Sequence, residues 1–131
     1  MTTLYSAEEI QGRIQDLALA MSVRHPTGLT IICVLKGAFI FTSDLVRNLT
    51  VPVQVEFTQA ISYKGIESTG EVRFFGTPNA WSKHVVIVED IVDTGLTMSK
   101  LLEEIKKQHP HSLEVCTLLN KPSQRKYPVK L

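Results

Sequence analysis

The chain has 131 residues, 44% of them hydrophobic and 21% charged, which is the length and composition of one globular domain and excludes both a two-domain protein and a disordered segment. Fourteen Lys and Arg stand against thirteen Asp and Glu, a net charge of +1, so no general field favours nucleic acid or a membrane surface and any charged site must be local. No apolar run approaches the roughly 18 residues of a membrane span, and the start of the chain lacks the apolar stretch of a signal peptide, so a soluble protein of a reducing, cytoplasmic compartment is expected.

Taken in chain order, Ser6 and Glu9 fit a capping box, and Ile10, Ile14, Leu17, Ala18 and Met21 follow at helical spacing until His25-Pro26 stops them. LTIICVL, from Leu29 to Leu35, is short and continuously apolar, the pattern of a strand buried on both faces. A second helix is predicted over Phe39 to Leu49. Val51, Val53, Val55 and Phe57 then alternate with polar residues as in a half-exposed strand, and Pro52 suits an edge or a first position. YKGIESTGE, residues 63 to 71, reads as a long mobile loop. Val72 to Phe75 is a short strand, Gly76 to Ser82 a turn, and Val85 to Val88 a strongly buried strand. After Glu89 a loop to about Thr97 leads into a helix through Gln108, with Met98, Leu101, Leu102 and Ile105 as its inner face. Leu113 to Leu119 is the last strand. Alternating strands and helices imply an α/β fold with a doubly wound, mainly parallel sheet flanked by helices. Cys33 and Cys116 each sit inside an apolar run and belong to no CxxC or Cys/His cluster, so buried free thiols are expected.

The chemistry concentrates in HVVIVEDIVDTGLT, His84 to Thr97: an apolar strand, two adjacent carboxylates, a third carboxylate, then Thr-Gly-x-Thr at a helix start. In open α/β sheets ligands bind beyond the carboxyl ends of the strands, where a helix N-terminus offers N–H groups and a positive dipole end. Thr94, Gly95 and Thr97 suit a phosphate, since glycine lets the backbone approach closely and both hydroxyls can donate. Three acids beside an anion site would repel phosphate alone; they suit a ligand that also carries hydroxyl groups or a bound Mg²⁺, such as a sugar phosphate with metal. The plainer reading makes Glu89 and Asp90 polar strand-end residues and Asp93 or Thr94 a simple helix cap. No GxxxxGK[ST] or GxGxxG occurs, which disfavours a P-loop or a dinucleotide fold.

This string resembles the phosphoribosyl-diphosphate motif of type I phosphoribosyltransferases, in the form found in hypoxanthine-guanine phosphoribosyltransferases. VLKGAFIFTSDLVRNL is similar to the family's diphosphate loop and following helix, ISYKGIESTGEV to its flexible catalytic loop, and TLLNKPSQR to its purine-side strand end. The resemblance implies transfer of 5-phosphoribosyl from phosphoribosyl diphosphate to hypoxanthine or guanine, giving IMP or GMP and diphosphate, with Mg²⁺. It implies that Glu89 and Asp90 hold the ribose hydroxyls and the metal shell, that Asp93 is the general acid or base at the purine N7, and that Asp93, Thr94, Gly95, Leu96 and Thr97 wrap the 5-phosphate. It further assigns Lys36 and Gly37 to the diphosphate loop, where the family has a non-proline cis peptide before the lysine, Ser62 and Tyr63 to the closing loop, and Lys121 to the purine 6-oxygen. Ala38 stands where the family often has a second small residue.

By the same resemblance residues 1–131 form a single phosphoribosyltransferase domain, C-terminally truncated, with the purine hood incomplete. Uncovered apolar surface would then favour a homo-oligomer. Neither nucleic acid nor a membrane is an expected partner. The alternatives from other classes are a non-catalytic regulator that senses phosphoribosyl diphosphate or binds RNA, and an inactive fragment. Clustered acids at Glu89, Asp90 and Asp93 weigh against the latter. The basic residues Lys121, Arg125, Lys126 and Lys130, with no acid beyond Leu118, also suit a plain solvated tail.

Overall fold

A computed structural model describes residues 7–61, 73–76, 78–92 and 95–120, the side chains of 91, 92 and 118–120 excepted. The elements are α1 (Ala7–Arg24), β1 (Leu29–Leu35), α2 (Phe39–Asn48), β2 (Val53–Ile61), β3 (Arg73–Phe75), β4 (His84–Val92), α3 (Leu96–Lys106) and β5 (Ser112–Asn120). The strands form one sheet in the order β3-β2-β1-β4-β5. β1 pairs in parallel with β2 and β4, and β4 with β5; only β3, at the edge, runs antiparallel.

β1 lies at the centre because its residues are apolar whichever face they meet. Ile31 and Cys33 join the core under α1 and α2, with Ile14, Ala18, Met21, Phe41 and Leu45. Ile32 and Val34 join the core under α3, with Met98, Leu101 and Ile105. β4 repeats this division, Val86 and Val88 on the first face and Val85 and Ile87 on the second, all fully buried. Such two-sided burial is what a continuous apolar run without alternation encodes. β2 does not follow the sequence alternation in its burial: Phe57 is exposed, and Thr58 is the buried residue of the strand. Pro52 stands just before it, and its carbonyl accepts the Leu29 N–H at 3.0 Å.

The expected doubly wound, mainly parallel α/β sheet is the one observed. One boundary differs in a way that matters. The sequence suggests a loop after Glu89, whereas β4 continues through Val92, held in register by β5 as far as Val92↔Asn120. Glu89 and Asp90 are therefore strand residues. Their polarity mimics a loop, and a parallel neighbour of the same length overrides it. The Ser6 half of the capping box and the 63–71 segment lie outside the described residues.

Candidate active site at the carboxyl end of the sheet

The β1–β4 ladder runs from Thr30↔Val85 to Cys33↔Val88. Because the pairing is parallel, the chain leaves both strands at the same end of the sheet, where a ligand of an open α/β fold is expected. From β1 it passes through an exposed Lys36 and Gly37 into α2. The Leu35–Lys36 peptide is cis, as the family resemblance implies. The turn is closed by the Ala38 N–H donating to the Val34 carbonyl at 3.3 Å and the Phe39 N–H donating to the Lys36 carbonyl at 3.1 Å. Ala38, the departure from the family pattern, is fully buried, and its methyl is part of the core under α1 and α2.

Gly37 and Asp90 are the point at which the two exits meet. A methyl group built on Gly37 would lie 2.5 Å from Asp90 Oδ2 and 2.9 Å from both Cγ and Oδ1. Carbon and oxygen do not approach so closely, so a side chain at this position would have to displace the Asp90 carboxylate. Glu89 folds back, its Oε1 accepting the Asp90 N–H at 3.1 Å. From β5, the Thr117 hydroxyl donates to the Asp90 carbonyl at 3.2 Å. Both acids are half-buried.

Beyond β4, Gly95 caps α3 in the left-handed conformation, φ +87°, which glycine adopts without the penalty a side chain would bring. The first helical bond follows at once, from the Ser99 N–H to the Gly95 carbonyl at 2.8 Å. Leu96 and Thr97 form the first turn, half-buried, at the helix end whose amides and dipole favour an anion. Lys36, Gly37, Glu89, Asp90, Gly95, Leu96 and Thr97 thus all belong to one end of the sheet. Asp93, Thr94, Ser62, Tyr63 and Lys121 lie outside the described residues.

Both thiols are free and buried. Burial pushes Cys33 up from its ordinary pKa, aided by the Glu89 charge and opposed by the Thr42 hydroxyl; it pushes Cys116 up to about 11. Such burial in apolar surroundings is that of structural thiols. Among the described residues no group of three His, Cys, Asp or Glu side chains could hold a metal. Glu89 and Asp90 supply two carboxylates. That set fits Mg²⁺, which keeps most of its waters and binds through one or two carboxylates together with a substrate's phosphates.

At the other end of the sheet is a cluster that sequence reasoning passed over. His25, buried in the turn after α1, bonds through Nε2 to Glu114 Oε1. Arg24 Nη2 reaches Glu114 Oε2 at 3.1 Å. The His84 ring lies 5.1 Å from that of His25 and 4.4 Å from that of His111, and its Nδ1 shares a 2.7 Å hydrogen bond with Ser112 Oγ. The fourth histidine of the chain, His109, meets Trp81 edge-on at 6.1 Å. The available signal was positional: each histidine precedes or begins a strand, and parallel strands bring their starts together. A groove of about 410 Å³ opens between β3 and α3, lined by Thr58, Phe74, Lys100 and Gln108 among others, and none of the predicted site residues that are described lines it.

Residues 4–131 match the phosphoribosyl transferase domain family. The chain is 42% identical over 134 residues to the hypoxanthine-guanine phosphoribosyltransferase of Mycobacterium avium, covering 95% of this chain and 66% of that one. Among solved structures, it superposes with a TM-score of 0.91 and 36% identity on a Bacillus anthracis hypoxanthine-guanine phosphoribosyltransferase carrying HEPES in its active site, covering 99% of this chain and 79% of that one. It also superposes with a TM-score of 0.88 and 38% identity on the Trypanosoma cruzi hypoxanthine phosphoribosyltransferase in complex with its product IMP, covering 97% and 74%. The chain spans 65% to 76% of the length of the curated relatives it matches.

Proposed function

The chain belongs to the phosphoribosyltransferase family, in its hypoxanthine-guanine branch, and on that premise we propose that it serves purine salvage, moving 5-phosphoribosyl from phosphoribosyl diphosphate to hypoxanthine or guanine and giving IMP or GMP and diphosphate. The observation that carries the reading is the contact of Gly37 with Asp90. It brings the turn after β1 against a strand-end carboxylate, at the end of the sheet where α3 begins, which supports one ligand bearing diphosphate, ribose and phosphate across the three.

In this reading Gly95, Leu96 and Thr97, with Asp93 and Thr94 before them, hold the 5-phosphate through backbone N–H groups and hydroxyls. Asp90 and Glu89 take the ribose hydroxyls, and they are the residues that would hold Mg²⁺. Bound there with the substrate, the metal supplies positive charge against the diphosphate as it leaves. Lys36 and the Gly37 backbone receive that diphosphate. Departure develops positive charge at the anomeric carbon, which the nearby carboxylates stabilise. Asp93 exchanges the proton at the purine N7, Ser62 and Tyr63 close over the reacting centre and exclude water, and Lys121 donates to the 6-oxygen. Adenine carries a donor at that position instead, so a lysine there selects 6-oxopurines.

Calorimetric titration with phosphoribosyl diphosphate and Mg²⁺, followed by addition of hypoxanthine and measurement of IMP, tests the reading. Binding with turnover supports it; binding without turnover would favour a sensor, and no binding would reject it. For the expected homo-oligomer, Phe39, Ile40, Phe57 and Phe75 offer exposed apolar surface. Light scattering is expected to show a species larger than 14.7 kDa; a stable monomer would reject association.

A further inference from the structure

β4 changes its support along its length. As far as Val88 it is flanked on both sides, by β1 through Cys33↔Val88 and by β5. Beyond Val88 the β1 ladder has ended, although β1 itself runs on to Leu35 in pairing with β2 before the chain turns into α2. The acids therefore sit on a stretch whose ladder partner is β5 alone, itself the last strand in the sheet order among the described residues. A carboxylate that must meet ribose hydroxyls within a few tenths of an ångström needs more than a one-sided ladder to hold it.

We infer that Thr117 of β5 is a positioning residue for the Asp90 carboxylate, acting through the hydrogen bond from its hydroxyl to the Asp90 carbonyl. The inference rests on the ribose-binding role proposed above for Asp90. Thr117 stands opposite Glu89 in the β4–β5 register, and its hydroxyl reaches the next peptide at 3.2 Å. The N–H of that same residue is taken by Glu89 Oε1. Asp90 is thus tied at its N–H and at its C=O by side chains, while its carboxylate rests where Gly37 has no side chain to displace it. Thr117 does not itself touch the substrate. It sets the direction from which the Asp90 side chain leaves the strand.

The test is calorimetric titration of the whole chain with phosphoribosyl diphosphate and Mg²⁺, comparing T117V, which keeps the β-branched shape and removes the hydroxyl, with T117S, which keeps the hydroxyl. T117V is expected to weaken binding about five- to tenfold, the range for one net hydrogen bond, and T117S to stay within about twofold. In a D90N background T117V is expected to cost nothing further, because the carboxylate it orients is gone. Unchanged affinity in T117V, or the same loss in both backgrounds, would overturn the inference while leaving the binding site in place. If the unsubstituted chain gives no heat, the functional reading fails and the inference falls with it. Should T117V melt well below the unsubstituted chain, T117A repeats the comparison without the buried methyl.

Discussion

At the amino end of the sheet, Arg24, His25, His84, His111, Ser112 and Glu114 bond or stack on one another. At the carboxyl end, the chemistry-bearing residues are tied by the backbone: Asp90 through its N–H and C=O, Gly95 through a left-handed turn, Lys36 and Gly37 through the turn into α2. All four histidines lie at the first end, and Glu89 and Asp90 lie at the second. The contrast separates stability from function. Where side chains satisfy one another they join α1 to β4 and β5; where the main chain is held, the side chains belong to the proposed ligand site.

The sharpest way to break this division is at Asp93. Asp93→Asn is expected to leave phosphoribosyl diphosphate affinity within a few-fold and to lower kcat about 10² to 10⁴-fold, the usual worth of a positioned acid or base. Steady-state kinetics beside calorimetry check it, and turnover close to that of the unsubstituted protein would remove Asp93 from the proton transfer. Gly37→Ala comes next. Its methyl would press on the Asp90 carboxylate, so affinity for phosphoribosyl diphosphate should fall by about 1 to 3 kcal/mol, as for overpacking of a tight contact. Gly37 is exposed, so the melting temperature should barely move.

At the amino end the expectation reverses. Glu114→Ala strips the partner from His25, whose side chain is only 8% exposed, although Glu114 itself is 32% exposed. Leaving a buried polar group unpaired costs about 1 to 3 kcal/mol, and solvent around Glu114 puts this case in the lower half of that range. Urea unfolding should show the loss while ligand affinity stays unchanged; an affinity change of tenfold would mean that the two ends are coupled.

The smallest effect is in pH. His84 is held below the ordinary histidine pKa of 6.5, first by burial and then by His111 and His25, with Glu114 pulling the other way. Arg24 adds a further positive group to the cluster. The folded chain therefore binds fewer protons here than the unfolded chain. Its contribution to stability is intact above 6.5 and is lost as pH falls from there toward the lowered value. His84→Gln should flatten that slope in denaturant midpoints measured across pH 5 to 7.5, and an unchanged slope would assign it to other groups.

Much of this was legible in the residues themselves. LTIICVL is apolar but for Thr30 and VVIV is apolar throughout, the pattern of short interior strands, and the Met98, Leu101, Ile105 spacing is that of a helix facing a core. Two such strands and their helices determine a sheet with layers on both sides. The phosphate motif was equally plain, because Asp-Thr-Gly-Leu-Thr places acid, hydroxyls and a glycine within one turn of chain.

Other features belonged to tertiary structure alone. Strand pairing kept Glu89 and Asp90 in β4 against their local polarity. The parallel β1–β4 ladder brought Gly37 against a carboxylate 53 positions along the chain. The β4–β5 register brought the Thr117 hydroxyl to the Asp90 carbonyl, and His25, His84 and His111 met because parallel strands begin at the same edge. Local sequence determined which segments were strands and which residues could carry charge, because those properties follow from side-chain chemistry within a few positions. Which of those residues touch is a matter of register and of the order of strands in the sheet, quantities defined only between distant segments once the core has closed.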